Sequence, residues 1–243
     1  MGGDRGDGAD PAGTPSRTPR TGRPRAASGA RRGSTGSTRE DILDAAAELF
    51  TTLGFTRTST RALGEAAGVR QATLYYHFAG KDELLAELLD ATVRPSLDLA
   101  ERLVAAAEAL ASPAVRLHAL ARFDADLLGR SRWNVGALYL LPEARAEQHA
   151  GFWARRERLV SAYRTLARAA APERAGAALD DPVAAAVPMA VVESVIQQRS
   201  LAGEGTPLAL ADACLRAVGV APEDVAALEP ASAAVLAALA PGR

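Results

Sequence analysis

Cysteine is nearly absent: Cys214 is the only one in 243 residues, so an internal disulfide and a thiolate metal cluster are both excluded. Cys214 sits in an apolar helical run and reads as a buried, inert thiol. Histidine is scarce too. His77, His118 and His149 have no ligand-like spacing, so neither a metal nor a cofactor is expected. No run of about 18 uninterrupted apolar residues exists, so no membrane span is expected. The start lacks the apolar segment of a secretion signal, and the expected location is cytoplasmic. There is no glycine-rich phosphate loop and no nucleophile elbow, so the chain does not read as an enzyme. The carboxylate pair Asp180 and Asp181 is explained by a helix cap ahead of Pro182. Aromatic residues make up 5% and the net charge is −1. With no global basic field, any nucleic-acid contact must rest on a local patch. Lys81 is the sole lysine. GC-rich coding accounts for that bias, and a preference for the planar guanidinium fork is the alternative.

What is present is mostly Ala, Leu, Val, Arg and Glu, which favour helix, and no segment shows convincing strand alternation. The hydrophobic fraction of 48% supplies one large core or two small ones. The first 37 residues contain no Val, Ile, Leu, Phe, Trp or Tyr, and residues 11–37 carry six arginines without an acid. Such a segment cannot bury enough apolar surface to offset its ordering entropy. Residues 1–36 therefore read as a disordered basic arm. The stretch around Gly22-Arg23-Pro24 fits either a solvated tail or an arm in a minor groove.

Helix punctuation begins at Ser37, which with Glu40 fits a capping box. Ile42, Ala46, Leu49, Phe50 and Leu53 follow on one face, and Gly54 ends the helix. Thr58, Ser59 and Thr60 offer caps for a helix over residues 61–67, which Gly68 stops. A short helix over about 71–77 and a longer one from Lys81 come next, and Pro95 is expected to kink or break the latter. Ser112-Pro113, Asp181-Pro182 and Thr206-Pro207 each look like a cap followed by proline at the first helical position. Residues 183–196 are apolar nearly all round, so that helix is buried on several sides or lies between a core and a partner.

Residues 58–78 read T-S-T-R-A-L-G-E-A-A-G-V-R-Q-A-T-L-Y-Y-H-F: helix, tight glycine turn, short helix. Leu63, Ala66 and Val69 supply inward contacts, and the small Gly64 and Ala67 let the helices approach. The second helix then projects outward and fits a major groove about 12 Å wide. Consecutive Tyr75 and Tyr76 cannot both enter one core, so at least one is exposed.

The string A-G-V-x-x-x-T-L-Y-x-H-F-x-x-K over residues 67–81, with its flanking helices from about Thr38 to Leu89, resembles the DNA-binding domain of the tetracycline-repressor (TetR) family. The resemblance implies an all-α fold with a helix-turn-helix at about 59–78 in a domain spanning 37–90. A helical effector-binding and dimerisation domain would fill 91–243. It also implies that Arg70 to His77 lie in or at the major groove, with Gln71 and Thr73 reaching bases or phosphates. Tyr75 would use its hydroxyl on the DNA backbone, Tyr76 would do the same or touch a thymine methyl, and Lys81, Thr58 and Ser59 would meet phosphates. Arg61 belongs to the same DNA-facing set. Two departures stand out: Arg70 occupies a position usually held by a small capping residue, and Gly64 replaces a common alanine.

In the second domain, polar residues on apolar helices are His118, Asp126, Asn134, Tyr139, His149, Glu193 and Gln197. Candidates for an effector pocket are Asp126, Asn134, Tyr139, Glu193 and Gln197, with the aromatics Phe123, Trp133, Phe152 and Trp153. Glu193 and Gln197 are four apart and share a face. The expected function is a homodimeric repressor that binds a palindromic double-stranded operator and is released by a small-molecule effector. The alternatives are an activator or ligand-independent DNA binder of the same fold, and an all-α enzyme that carries a helix-turn-helix.

Overall fold

Every secondary-structure element is helical among the residues described by the computed structural model, which are 37–106, 110–199, 203 and 205–239. The reading of the basic arm lies outside the described residues. The helices are α1 (Thr38–Thr52), α2 (Thr60–Ala67), α3 (Gln71–His77), α4 (Lys81–Ala105) and α5 (Pro113–Arg130). Three 3-10 turns follow, Val135–Leu140, Pro142–Arg145 and Glu147–His149. Then come α6 (Ala150–Ala170), α7 (Glu173–Ala178), α8 (Pro182–Gln197), α9 (Thr206–Ala217), α10 (Pro222–Ala226) and α11 (Glu229–Leu239).

Local chemistry sets most of these boundaries. Both arms of the Ser37–Glu40 capping box form: Glu40 N–H donates to Ser37 Oγ, and Ser37 N–H donates to Glu40 Oε2 at 2.7 Å. Ser112 and Asp181 cap α5 and α8 with proline just inside. Such a cap is worth about 1 kcal/mol. The expected Thr206 cap is displaced by one residue. Gly205 is the cap, while the Thr206 hydroxyl turns back to accept from Gly203 N–H at 2.8 Å.

Pro95 does not break α4, which continues through it to Ala105. The donor that proline lacks would have served the Ala91 carbonyl. Ala91 is exposed, so water can take over.

One hydrophobic core reaches from Ile42 in α1 to Val235 in α11, and all described residues belong to one compact unit. The division expected at residue 90 falls inside α4. The reason is physical: α4 buries Leu84, Leu85 and Leu89 at one end and Leu97, Ala100 and Leu103 at the other. It thus serves the core beneath the helix-turn-helix and the core of the helical body. No helix among the described residues is long and apolar enough to cross a membrane.

Candidate DNA-reading helix and interior cavity

The reading head is assembled from small residues and two turns. Gly54 (φ +89°) and Gly68 (φ +69°) hold left-handed backbone, which a Cβ disfavours. Phe55 packs behind the first turn, its ring 5.1 Å from that of Phe50. Gly64 is buried, and a Cβ placed there would lie 3.1 Å from the Val69 carbonyl oxygen. Glycine therefore lets the turn close tightly on α2. Leu63 is fully buried, whereas Ala66 is exposed rather than inward. Leu53 is likewise exposed, at the end of α1.

Helix α3 is anchored by Leu74 and by Phe78 just beyond it, both in the core. Arg70 takes the cap position with extended backbone and no side-chain cap hydrogen bond. Gln71, Tyr75 and Tyr76 face outward, Tyr76 at 84% exposure, and Thr73 and His77 are half-buried. The outward set is tied to α2: Gln71 Nε2 donates to Thr60 Oγ1 at 3.1 Å, and Tyr75 Oη lies 3.4 Å from that same oxygen. Thr60, a cap candidate by its sequence position, thus holds both side chains, a role that cap chemistry does not signal. Ser59 is exposed and its hydroxyl accepts from Ala62 N–H at 3.1 Å. Exposed Arg61 pairs with Glu65 within α2.

Thr58 departs from expectation. It is 1% exposed and donates its hydroxyl to the Gly54 carbonyl at 2.8 Å. It closes the turn from inside, so its hydroxyl does not face a phosphate. Lys81 is half-buried, donates to the Phe55 carbonyl at 3.0 Å, and lies 4.5 Å from the centre of the Phe55 ring. In the free protein it braces the first turn.

Of the expected pocket residues, Tyr139, Phe152 and Glu193 line one interior cavity. Asp124, Arg156, Thr92, Met189 and apolar neighbours complete its wall. The free space has room for about one water molecule. Asp126 and Gln197 face solvent instead, Asp126 beside Arg130. Two residues back, Asp124 is fully buried, because a two-residue step rotates a helical side chain by about 200°. Trp133 and Asn134 leave the cavity for other partners, Asp44 and the Ile196 carbonyl. Trp153 donates to the Ala144 carbonyl at 2.7 Å and stacks edge-on against Phe152 and Tyr139. Phe123 is half-buried and packs against the main core.

Asp124 accepts from Ser96 Oγ (2.7 Å) and Tyr163 Oη (2.9 Å). Burial pushes its pKa up to about 6, against the pull of these two hydrogen bonds. Glu193 accepts two hydrogen bonds from Arg156 (2.6 and 2.8 Å), and that guanidinium also sits 5.2 Å from the Tyr139 ring centre. Burial raises the Cys214 thiol to about 12, so the thiol is inert. His118, also fully buried, joins three helices: Asp212 Oδ1 lies 3.1 Å from Nε2 and Ser232 Oγ 2.8 Å from Nδ1. Desolvation lowers its pKa.

Residues 42–88 match the family model described as bacterial regulatory proteins, tetR family. The crystal structure of Mycobacterium smegmatis AmtR is similar along nearly its whole length: 44% identity, 85% of this chain and 97% of that chain covered, TM-score 0.75. The HTH-type transcriptional repressor KstR2 of Mycobacterium tuberculosis (strain ATCC 25618 / H37Rv) is 39% identical over 57 residues. That stretch is 24% of this chain and 28% of KstR2, so the match spans little more than a quarter of that relative. AibR, solved in complex with isovaleryl coenzyme A and operator DNA, shares the fold at 24% identity and a TM-score of 0.53, with 74% of this chain and 96% of that one covered.

Proposed function

The chain belongs to the tetR family of bacterial regulatory proteins, and from that premise we propose that it is a cytoplasmic, homodimeric repressor that binds a palindromic operator and releases it when a small effector binds. The observation that carries the reading is the face of α3. Leu74 and Phe78 fix the helix, while Gln71, Tyr75 and Tyr76 stand outward on a polar surface shared with Thr60. Carboxamides pair with adenine edges and hydroxyls with phosphates.

Two copies of α3 must reach successive major grooves, about 34–36 Å apart, so the reading requires a dimer. Helix α8 supports one. Its inner face buries Met189, Val192, Val195 and Ile196, and its outer face leaves Ala186, Val187 and Ala190 exposed, with Val183 at 77%. The effector would occupy the cavity beside Asp124 and act by favouring a dimer with different spacing. AibR, of the same fold, was solved with a coenzyme A ester and operator DNA together. The small size of the cavity favours a second reading, a DNA binder of this fold that needs no small ligand.

The test is selection of genomic fragments by the full chain, followed by binding titrations at several salt concentrations. The expected result is a palindromic consensus with half-sites one helical turn apart and a steep salt dependence. Recovery of no enriched sequence would overturn the proposal.

A further inference from the structure

The cavity beside Asp124 is rich in hydrogen-bond acceptors and poor in free donors. Asp124 and Glu193 contribute carboxylates to its wall, and Thr92 contributes a hydroxyl whose proton is given to the Leu89 carbonyl at 2.6 Å. The one guanidinium in the wall, Arg156, is committed to both oxygens of Glu193 and to the face of Tyr139. That leaves Asp124 as a fully buried carboxylate whose hydrogen bonds come only from two neutral hydroxyls, Ser96 and Tyr163, with Arg156 acting on it from a distance. Buried charges are ordinarily paired with an opposite charge. Here the count on the cavity wall is two carboxylates against one cation.

We propose that the cavity takes a protonated primary amine, whose ammonium head supplies the missing positive charge to Asp124 and donates to the surrounding oxygens. The inference rests on the reading of this cavity as the effector site and adds the chemical class of the effector. The space holds one water-sized group, which fits the ammonium head alone, so the carbon attached to it must push part of the apolar wall aside. Any carbon chain beyond the head meets Met189, Phe152, Leu159 and Ile196, and the unbranched Met189 can adapt. An anionic ligand is disfavoured, because it would have to take Arg156 from Glu193 and leave that half-buried carboxylate unpaired.

Binding should depend on pH through Asp124. The groups that face it are Ser96 from α4, Tyr163 and Arg156 from α6, Glu193 from α8 and Cys214 from α9. Tyr163 and Cys214 are both pushed up by burial and stay neutral at pH 5–8. The carboxyl titrating near 6 is therefore that of Asp124, and amine affinity should rise as it ionises.

The experiment is thermal unfolding of the full chain with methylammonium chloride, potassium chloride or sodium formate at equal ionic strength, at pH 5 and pH 7.5. At pH 7.5, methylammonium at ten times its Kd should raise the melting temperature by about 3–5 °C, with saturation. Potassium and formate should not, and the shift should shrink at pH 5. Asp124→Asn should lose the response. Should that variant fail to fold, the pH dependence and the potassium and formate arms on the unaltered protein decide alone. Equal shifts with potassium or formate, no shift at all, or a shift retained in Asp124→Asn would overturn the proposal. Operator binding is followed in the same solutions. A saturable methylammonium shift with the operator still bound leaves the amine site standing and sinks the effector reading instead.

Discussion

Asp124 shows at the scale of one residue how burial sets chemistry. Its carboxyl titrates near 6 in the fold against 3.8 unperturbed, so between those values the native state holds the extra proton. Stability from this group is fully present below about pH 4 and is lost as pH rises through about 6. The cost above that is up to about 3 kcal/mol at 1.36 kcal/mol per unit. Asp124→Asn should therefore flatten the stability profile between pH 4 and 6 relative to the unaltered protein, as measured by urea unfolding at each pH. Parallel profiles would show that Asp124 is not the titrating group. Gly68 offers a second check. Its φ of +69° is left-handed, and a Cβ there costs about 1–2 kcal/mol, so Gly68→Ala should lower the urea midpoint without changing the slope of the transition. Sequence alone exposed Gly68, because a glycine between two helical patterns has few other uses. Asp124 escaped notice, because a lone aspartate in an apolar helix looks the same whether it points inward or outward. Asp126, two residues on and a candidate by the same pattern, faces solvent beside Arg130 instead.

Among the elements, α3 carries the clearest expectation. Gln71→Ala removes the carboxamide but no core contact, so the selected operator consensus should lose discrimination at one position while overall stability holds. An unchanged consensus would remove Gln71 from base readout. Helix α8 supplies the contrasting test. Val183 and Val187 are outward and Val195 is 2% exposed, packed on Leu128 and Ile196. Val183→Glu with Val187→Glu should yield folded monomers by light scattering and circular dichroism, whereas Val195→Glu should unfold the protomer. Intact dimers from the outward pair would place the interface elsewhere. Periodicity could show that α8 was apolar on all sides, but it could not say which valines met the core and which remained outside. The same ambiguity explains Leu53, which follows the α1 pattern yet lies beyond its last buried turn. Helix starts were more legible than faces, since a Ser or Asp followed by proline caps through its side chain onto backbone N–H groups two or three residues on and needs no distant partner.

For the molecule as a whole, the reading head and the body are bound by more than α4. The stretch from Trp133 to Gln148 sends side chains to the head at three points: Trp133 to Asp44 (3.1 Å), Glu143 to Thr56, and Gln148 to Asp82 (2.6 Å). The same stretch contributes Tyr139 to the cavity wall. None of these long-range pairs has a signature in the sequence, because each partner is an ordinary surface residue until the fold brings the two together. Lys81, braced on Phe55, has a practical consequence that the whole chain confers on it. As the sole lysine, it carries the only ε-amine available to an acylating reagent, so each molecule offers one side-chain label, and that label reports from the reading head. Acetic anhydride should add a single acetyl to the tryptic peptide that contains Lys81, slowly in the free protein because the amine is engaged by the Phe55 carbonyl. If operator binding pulls the lysine onto a phosphate, the label should be blocked in the complex, and intact-mass spectrometry of free and bound samples reads the difference as 42 mass units, about the mass of one acetyl group less a proton. Equal labelling of both samples would mean that Lys81 keeps its bracing role on DNA.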